Sequence, residues 1–313
     1  MSFKKIQGQQ RAIDTLRGFI KSARIPRAMI FAGHSGVGKA IAALEFAKTL
    51  NCLEAGEDSC GICQNCKHID AKTHPDIIFA DFAYQAALRG EEVEKQQTIR
   101  VDTVRSLTAA SQQKPVMAKW KIYIIDSAEK LLEEGANALL KFIEEPPPNT
   151  VWILISSKRE AMLPTIKSRC QTISFTPLAD DIIIKILTDN YIEADLAAAS
   201  AAYAGGSTAK AFLAAEVLGD FASLPRGAAF APAAAMNLSK TLAQARVQAG
   251  CALDMLAVAA HKEWAAAPKQ RQAAIKELLA KIVFYKKALG RNTSPALVLE
   301  AGLMAAAQNN VSL

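Results

Sequence analysis

A glycine-rich segment with a single lysine, GHSGVGKA at residues 33–40, has the spacing of a phosphate-binding loop. The apolar run AMIFA precedes it and the helical pattern IAALEFAKTL follows it, so the expected order is strand, loop and helix. Backbone N–H groups at the start of that helix would surround phosphate oxygens, and the lysine would reach the β- and γ-phosphates. The residues assigned to this role are Gly33, Gly36, Gly38 and Lys39. The next residue is Ala40, and its methyl group cannot bind Mg²⁺, so a metal ion there loses one oxygen ligand.

The segment KIYIIDSAEKL, residues 121–131, predicts the metal-orienting side of the same site. Asp126 ends a buried strand, a position from which a carboxylate holds Mg²⁺ beside bound phosphates. Ser127 follows without a carboxylate that could polarise an attacking water, and Glu129 is expected to point elsewhere on the next helix. We therefore predict weak binding of ATP and Mg²⁺ with little or no hydrolysis. A local shift that makes Glu129 the base is the alternative.

Four cysteines follow the predicted phosphate-loop helix in the pattern C-x7-C-x2-C-x2-C. Four thiolates satisfy a tetrahedral Zn²⁺ ion, and each C-x2-C turn lets two sulfurs converge on one metal. A closed site of four sulfurs leaves no open coordination position, so the zinc is expected to be structural. An iron–sulfur cluster also accepts four cysteines, but nothing else in the sequence suggests redox chemistry. The predicted ligands are Cys52, Cys60, Cys63 and Cys66.

The composition indicates what class of protein carries the phosphate loop and the cysteine cluster. The chain has 313 residues, of which 51% are hydrophobic and 21% charged, so we expect a globular protein of two or three domains. Charged and polar residues interrupt every apolar run, and the start MSFKKIQGQQ lacks the apolar region of a signal peptide, so a cytoplasmic protein without membrane spans is predicted. The net charge of +7 permits a nucleic-acid partner without requiring one.

Five short apolar runs alternate with helical patterns in the first half of the chain, which indicates a parallel sheet covered on both faces. The predicted strands are residues 28–33, 76–80, 121–126, 151–156 and 172–175. After Pro177 only helical patterns remain, at 180–190, 196–204, 209–218, 233–264 and 268–289, with a last helix from Pro295. A segment with glycine and proline at 219–232 is predicted to be a linker or an irregular turn. The predicted domains are 1–177 (α/β), 178–218 (small, helical) and 219–313 (helical).

Two longer segments then resemble a known family. ANALLKFIEEPPPNTVWILIS (136–156) and LPTIKSRCQTISF (163–175) are similar to the bacterial clamp loader of DNA polymerase III, a group of AAA+ P-loop proteins. So are the start, IQGQQRAIDTLRGFIKSARIPRAMIFAG, the cysteine insertion after the loop helix, and GRNTSPALVLE (290–300) near the end. This resemblance implies an AAA+ domain with a zinc knuckle, a three-helix lid and a helical collar that assembles the subunits into a ring.

The departures from the family pattern favour one type of subunit. Gamma/tau subunits keep Ser or Thr after the loop lysine and an acidic pair after the third strand, where this chain has Ala40 and Ser127. A loop without its hydroxyl, beside an intact SRC motif, is similar to delta-prime. In that resemblance Arg169 acts in trans as an arginine finger on the ATP of a neighbouring subunit; a surface ion pair is the alternative.

The implied partners are gamma/tau and delta subunits, the sliding clamp and primed DNA. Two rival functions stay open: an active gamma/tau-like ATPase that uses Glu129, and a zinc-dependent DNA-binding module. Ser156 and Ser157 match the position of a γ-phosphate sensor, and Lys210 resembles a second sensor in uncertain register. The competing interpretations are ordinary serines at a strand end for Ser156 and Ser157, and an exposed lysine on a helix for Lys210.

Overall fold

The computed structural model of the chain consists of two compact units, Met1–Leu178 and Ala179–Leu313. It describes residues 3–54, 56–225, 227–291 and 293–311. The boundary lies one residue beyond the end of the predicted α/β domain. The further division of the second unit into a lid and a collar stays a prediction.

The first unit is built on a five-stranded parallel sheet with the order β2-β3-β4-β1-β5. The strands are β1 (Ala28–Ala32), β2 (Ile77–Ala80), β3 (Lys121–Ile125), β4 (Thr150–Ser156) and β5 (Gln171–Ser174). The structure confirms all five predicted strands, with ends that differ by at most one residue. Every residue of β1, β3 and β4 is buried, as expected for central strands covered by helices on both faces.

Seven α-helices accompany this sheet in the part of the unit that the structure describes. They are α1 (Gln10–Lys21), α2 (Lys39–Asn51), α3 (Gln64–Asp70), α4 (Phe82–Arg89), α5 (Val101–Gln112), α6 (Glu133–Glu144) and α7 (Pro164–Lys167). Side chains of β1 alternate between two cores, because successive residues of a strand point to opposite faces. Met29 and Phe31 share one core with Phe46 of α2, and Ile30 shares the other with Leu139 of α6.

This topology places the predicted nucleotide residues at one edge of the sheet. In the parallel register Ala32 of β1 lies beside Ser156 of β4, and Ile125 of β3 lies beside Leu154. The strands β3, β4 and β1 are consecutive neighbours. Their carboxyl ends therefore bring together the loop at 33–40, the segment that starts at Asp126, and Ser156 and Ser157 at the end of β4.

The second unit is helical throughout its described residues. Its helices are α8 (Asp180–Asp189), α9 (Ala194–Ala204), α10 (Thr208–Ala222), α11 (Phe230–Met236), α12 (Leu242–Ala266), α13 (Lys269–Leu289) and α14 (Pro295–Gln308). Helices α8, α9 and α10 pack on one another, and α10 also packs on α12. No helix in the described ranges combines the length and apolar composition needed to span a membrane.

Two predictions for this unit were wrong. The single helix expected at 233–264 is two helices, and the break between them is stabilised by a hydrogen bond of 2.8 Å from Ser239 N to Gln248 Oε1. The predicted linker at 219–232 is shorter, because α10 continues through Gly219 to Ala222. A Cβ at Gly219 would lie 3.9 Å from Leu196 Cδ2, so this glycine lies where α10 packs against α9 and does not end the helix.

Candidate nucleotide and metal sites

The loop at 33–40 needs glycine for reasons visible in its surroundings. Gly33 N donates a hydrogen bond to Ser156 O at 3.2 Å, which fixes the start of the loop to β4. A Cβ at Gly33 would lie 2.4 Å from Phe175 O, closer than any side chain tolerates. Gly38 has a φ of 96° directly before α2, a conformation that favours glycine. The predicted order of strand, loop and helix is confirmed.

Lys39 is buried inside this loop. Its Nζ donates hydrogen bonds to Gly33 O at 2.6 Å and to His34 O. Burial lowers the pKa of Lys39, although the charges of Asp126 and Glu129 oppose that shift. The ammonium group therefore lies where phosphate oxygens would enter the loop.

Asp126 follows β3 and lies at the same edge. Its backbone N–H donates to Ala80 O at 3.0 Å, and burial raises the pKa of its carboxyl group. The nearby charge of Lys39 counteracts this shift. A carboxylate beside the loop lysine is the arrangement that orients a metal ion on phosphates. Ser127 has a φ of 54° and starts a single 3₁₀ turn at Ala128–Lys130.

The expectation that Glu129 points away from the site was wrong. The short 3₁₀ turn keeps its carboxylate at the sheet edge, where it accepts hydrogen bonds from Ser157 Oγ and, at 3.4 Å, from Ser157 N. Burial would raise the pKa of Glu129, but these hydrogen bonds lower it below its usual value. Glu129 is therefore an ionised group near Lys39 and Asp126, engaged by the serine predicted as a sensor.

The four predicted metal ligands converge in the structure. The sulfur atoms of Cys52, Cys60, Cys63 and Cys66 all lie within 4.8 Å of one another. A tetrahedral zinc with Zn–S bonds of about 2.3 Å would separate the sulfurs by roughly 3.8 Å, so a small contraction suffices.

Backbone donors support thiolate ligands in this cluster. Cys60 N donates to Cys52 Sγ at 3.3 Å, and Cys63 N donates to Cys60 Sγ at 3.3 Å. Burial opposes ionisation of Cys63, but backbone N–H groups of Leu53 and Cys66 lower its pKa to about 6. Burial raises the pKa of Cys66. The donor set and its spacing fit a structural zinc ion.

Sequence reasoning missed the groups that tie this cysteine segment to α2. Lys48 is fully buried and donates to Glu45 Oε1 at 2.7 Å and to Asp70 Oδ1 at 2.8 Å. Asn65 Nδ2 donates to Asn51 O at 2.8 Å, close to the first cysteine. The sequence does contain a signal for the buried ion pair, because Glu45 and Lys48 interrupt the otherwise apolar pattern of α2 at i,i+3 spacing.

Arg169 lies between α7 and β5, with a side chain that is 41% exposed. Its Nε is hydrogen-bonded to Glu144 Oε1 at the end of α6, and its Nη1 donates to Thr165 O at 3.1 Å. The ion pair expected as the alternative role is therefore present within the chain. An ion pair this exposed is weak, so the guanidinium stays accessible to other partners.

The comparison with known families decides the relationship. Residues 8–179, more than half of the chain, match the family model described as DNA polymerase III, delta subunit. The chain belongs to this family. The predicted resemblance to the bacterial DNA polymerase III clamp loader is thereby confirmed.

Two curated relatives of this polymerase III family protein agree with the match. The chain is 36% identical over 188 residues to DNA polymerase III subunit delta' of Bacillus subtilis, covering 60% of this chain and 52% of that protein. It is 35% identical over 170 residues to subunit tau/gamma of Haemophilus influenzae, covering 54% of this chain and 23% of that protein. The alignments thus span about half of the first relative and about a quarter of the second.

A solved structure supports the fold of this family member. A DNA polymerase III gamma subunit-related protein from Thermotoga maritima superposes with a TM-score of 0.55 at 16% identity, covering 95% of this chain and 98% of that one.

Lys210, the predicted second sensor, lies in the second unit beside Tyr203, Arg246 and Cys251 in a cavity of about 240 Å³.

Proposed function

We propose that the chain is a delta-prime-type subunit of the DNA polymerase III clamp loader. In this role it assembles with gamma/tau and delta subunits and helps to load the sliding clamp onto primed DNA. The family membership supports the assembly, since the matching relatives are named as polymerase III subunits. The departures at Ala40 and Ser127 support the delta-prime type over the gamma/tau type.

The observation that carries the proposal is the incomplete phosphate site. Lys39 and Asp126 retain the arrangement for phosphates and metal, but position 40 offers only a methyl group that packs against the sheet core. A metal ion held by one protein carboxylate and no hydroxyl is bound weakly. In this proposal the subunit contributes contacts with its neighbours in the complex, and ATP is hydrolysed at the sites of those neighbours.

Arg169 is the group offered to a neighbour. Its exposed, ion-paired guanidinium can exchange Glu144 for phosphate oxygens, which accept two parallel N–H bonds from arginine. The test is Arg169→Ala in a complex reconstituted with gamma/tau and delta chains. Turnover at the site that Arg169 serves should fall by about a thousandfold or more, with normal assembly by gel filtration.

Arg159→Ala is the matched control, because Arg159 lies in the same unit, is 42% exposed and pairs with Glu160. It should leave turnover unchanged. Equal effects of the two substitutions, or unchanged turnover with Arg169→Ala, would contradict the finger assignment.

A specific observation favours a second candidate function, an active ATPase. The carboxylate of Glu129 lies near Lys39 and Asp126 and is ionised, so it has the charge that a base requires. Steady ATP hydrolysis by the isolated chain that disappears in Lys39→Ala would establish this candidate. Absence of such hydrolysis supports the delta-prime type.

The cysteine cluster is proposed to hold a structural zinc ion. Its connection to α2 through Lys48 and Asn65 supports a role in the stability of the first unit. If the cluster instead grips DNA, Cys60→Ser should weaken DNA affinity and leave ring assembly intact. We expect the opposite: lower stability and impaired assembly.

A further inference from the structure

The segment before β3, residues 113–120, is an exposed loop held in place by a buried carboxylate. Asp76 is 2% exposed, and its Oδ2 accepts hydrogen bonds from Val116 N at 3.0 Å, Met117 N at 2.8 Å and Ala118 N at 2.8 Å. Its Oδ1 accepts a further bond from Val116 N at 2.9 Å. Three successive backbone N–H groups therefore converge on one side chain.

Both ends of the loop are also fixed. Lys121 Nζ is hydrogen-bonded to Ala110 O and, at 2.8 Å, to Gln113 O, which secures the end of α5. Trp120 N donates to Asn51 Oδ1 at 2.8 Å, and Asn51 Nδ2 donates back to Trp120 O at 3.1 Å. The conformation is therefore set before any partner arrives, which reduces the entropy lost on binding.

This ordered loop presents apolar side chains to solvent. Val116 is 77% exposed and Met117 is 38% exposed, although their own backbone is anchored to the interior. Folding gains little from this arrangement, because apolar surface left in water contributes no hydrophobic stabilisation. An ordered apolar tip instead favours contact with another molecule.

The exposed charged residues next to the tip in the sequence are lysines, and an arginine lies beside Trp120. Lys114 and Lys119 flank the tip, and neither has an ion-pair partner among the described residues. The guanidinium of Arg27 lies 4.9 Å from the centre of the Trp120 ring. No Asp or Glu occurs between Asp102 and Asp126 in the sequence. We call the exposed residues Lys114, Val116, Met117 and Lys119 of this loop, together with Arg27 beside Trp120, the loop face.

We propose that the loop face binds an acidic peptide segment that carries an apolar side chain. The cationic side chains of the loop face attract the carboxylates of the peptide. Val116 and Met117 at the tip cover its apolar side chain. Nucleic acid fits less well, because its phosphates would meet the cations but leave Val116 and Met117 without an apolar partner. The loop lies before β3, whereas the phosphate loop follows the carboxyl end of β1, so this surface is independent of the proposed nucleotide chemistry.

The test uses a fluorescein-labelled peptide with four aspartates beside a leucine–phenylalanine pair, titrated with the full chain and followed by anisotropy. Replacing the aspartates with asparagine, or the apolar pair with serine, should each weaken binding about tenfold. Val116→Ser with Met117→Ser should weaken it about tenfold, and Lys114→Gln with Lys119→Gln about threefold to tenfold with a smaller salt dependence.

The matched control is Lys185→Gln with Lys276→Gln, which removes the same charge from exposed positions of the second unit. Circular dichroism and thermal melts check that all variants fold. The proposal is overturned if the peptide does not bind, or if loop-face variants and the control bind it equally. It is also overturned if a labelled oligo-dT displaces the peptide and loses affinity in the same variants, which would identify a nucleic-acid surface.

Discussion

Asp76→Asn should destabilise the first unit by about 3 kcal/mol. Asp76 accepts hydrogen bonds from three backbone N–H donors, those of Val116, Met117 and Ala118. A hydrogen bond to a charged group contributes about 1.5–3 kcal/mol and a neutral one about 0.5–1.5 kcal/mol, so each bond loses roughly 1 kcal/mol when the charge is removed. In the variant, the asparagine Nδ2 would also take the place of Oδ1, which now accepts from Val116 N, so that two hydrogen-bond donors would face each other.

Urea unfolding followed by tryptophan fluorescence measures this change, since Trp120 and Trp152 both lie in the first unit. Asp14→Asn is the matched control, because Asp14 is exposed on α1 and, among the described residues, accepts one hydrogen bond, from Gln10 Nε2 at 2.7 Å. It should shift stability by less than about 0.5 kcal/mol. An Asp76→Asn effect no larger than that of the control would refute the reasoning.

The same carboxylate predicts a pH dependence. Burial would raise the pKa of Asp76, but the N–H bonds from Met117, Val116 and Ala118 lower it below its usual value. A depressed pKa in the folded state gives stability that is present above the unfolded value of about 3.9 and is lost as the pH falls through the folded value. The stability difference between wild type and Asp76→Asn should therefore be full at neutral pH and shrink below about pH 4. Burial lowers the pKa of His74 and the charge of Asp76 opposes that shift, so the pKa of His74 should fall further in Asp76→Asn.

Three further predictions concern the candidate sites. Cys60→Ser should abolish stoichiometric zinc in metal analysis of the purified chain and lower the melting temperature of the first unit; full zinc content would contradict the assigned ligand set. Gly33→Ala should destabilise the chain by about 1–3 kcal/mol in urea unfolding, because its Cβ would lie 2.4 Å from Phe175 O; a neutral effect would mean that the loop relaxes freely. Glu129→Gln should tighten ATP binding severalfold in calorimetry, since it removes a negative charge near Lys39, whereas weaker binding would indicate that Glu129 serves the metal ion.

The sheet was predictable because its three central strands, β1, β3 and β4, are buried along their length. Apolar runs such as VWILIS of β4 have no exposed face, and they alternate with helical patterns that can cover both sides. The convergence of the four cysteines was predictable for a local reason, since C-x2-C turns bring sulfurs together with little help from the rest of the chain.

The remaining features depend on contacts that the sequence does not display. The direction of Glu129 was mispredicted because a single 3₁₀ turn after Ser127 replaces the expected longer helix. The anchoring of residues 116–118 by Asp76 joins positions some 40 residues apart, and no short-range pattern announces it. In α12 and its neighbours, uniformly helical Ala-rich composition concealed the break near Ser239.

Helix α2 has a consequence for how this protein is handled in the laboratory. It begins at Lys39, in the phosphate loop, and ends at Asn51, directly before the first cysteine of the cluster. Its 13 residues make a rod of roughly 20 Å, braced near its far end by Lys48. With zinc at the cysteines and nucleotide at the loop, as proposed above, chelators used during purification would loosen one end of the rod and change nucleotide binding at the other. On that proposal, nucleotide titrations of this chain are comparable only between preparations of equal zinc content.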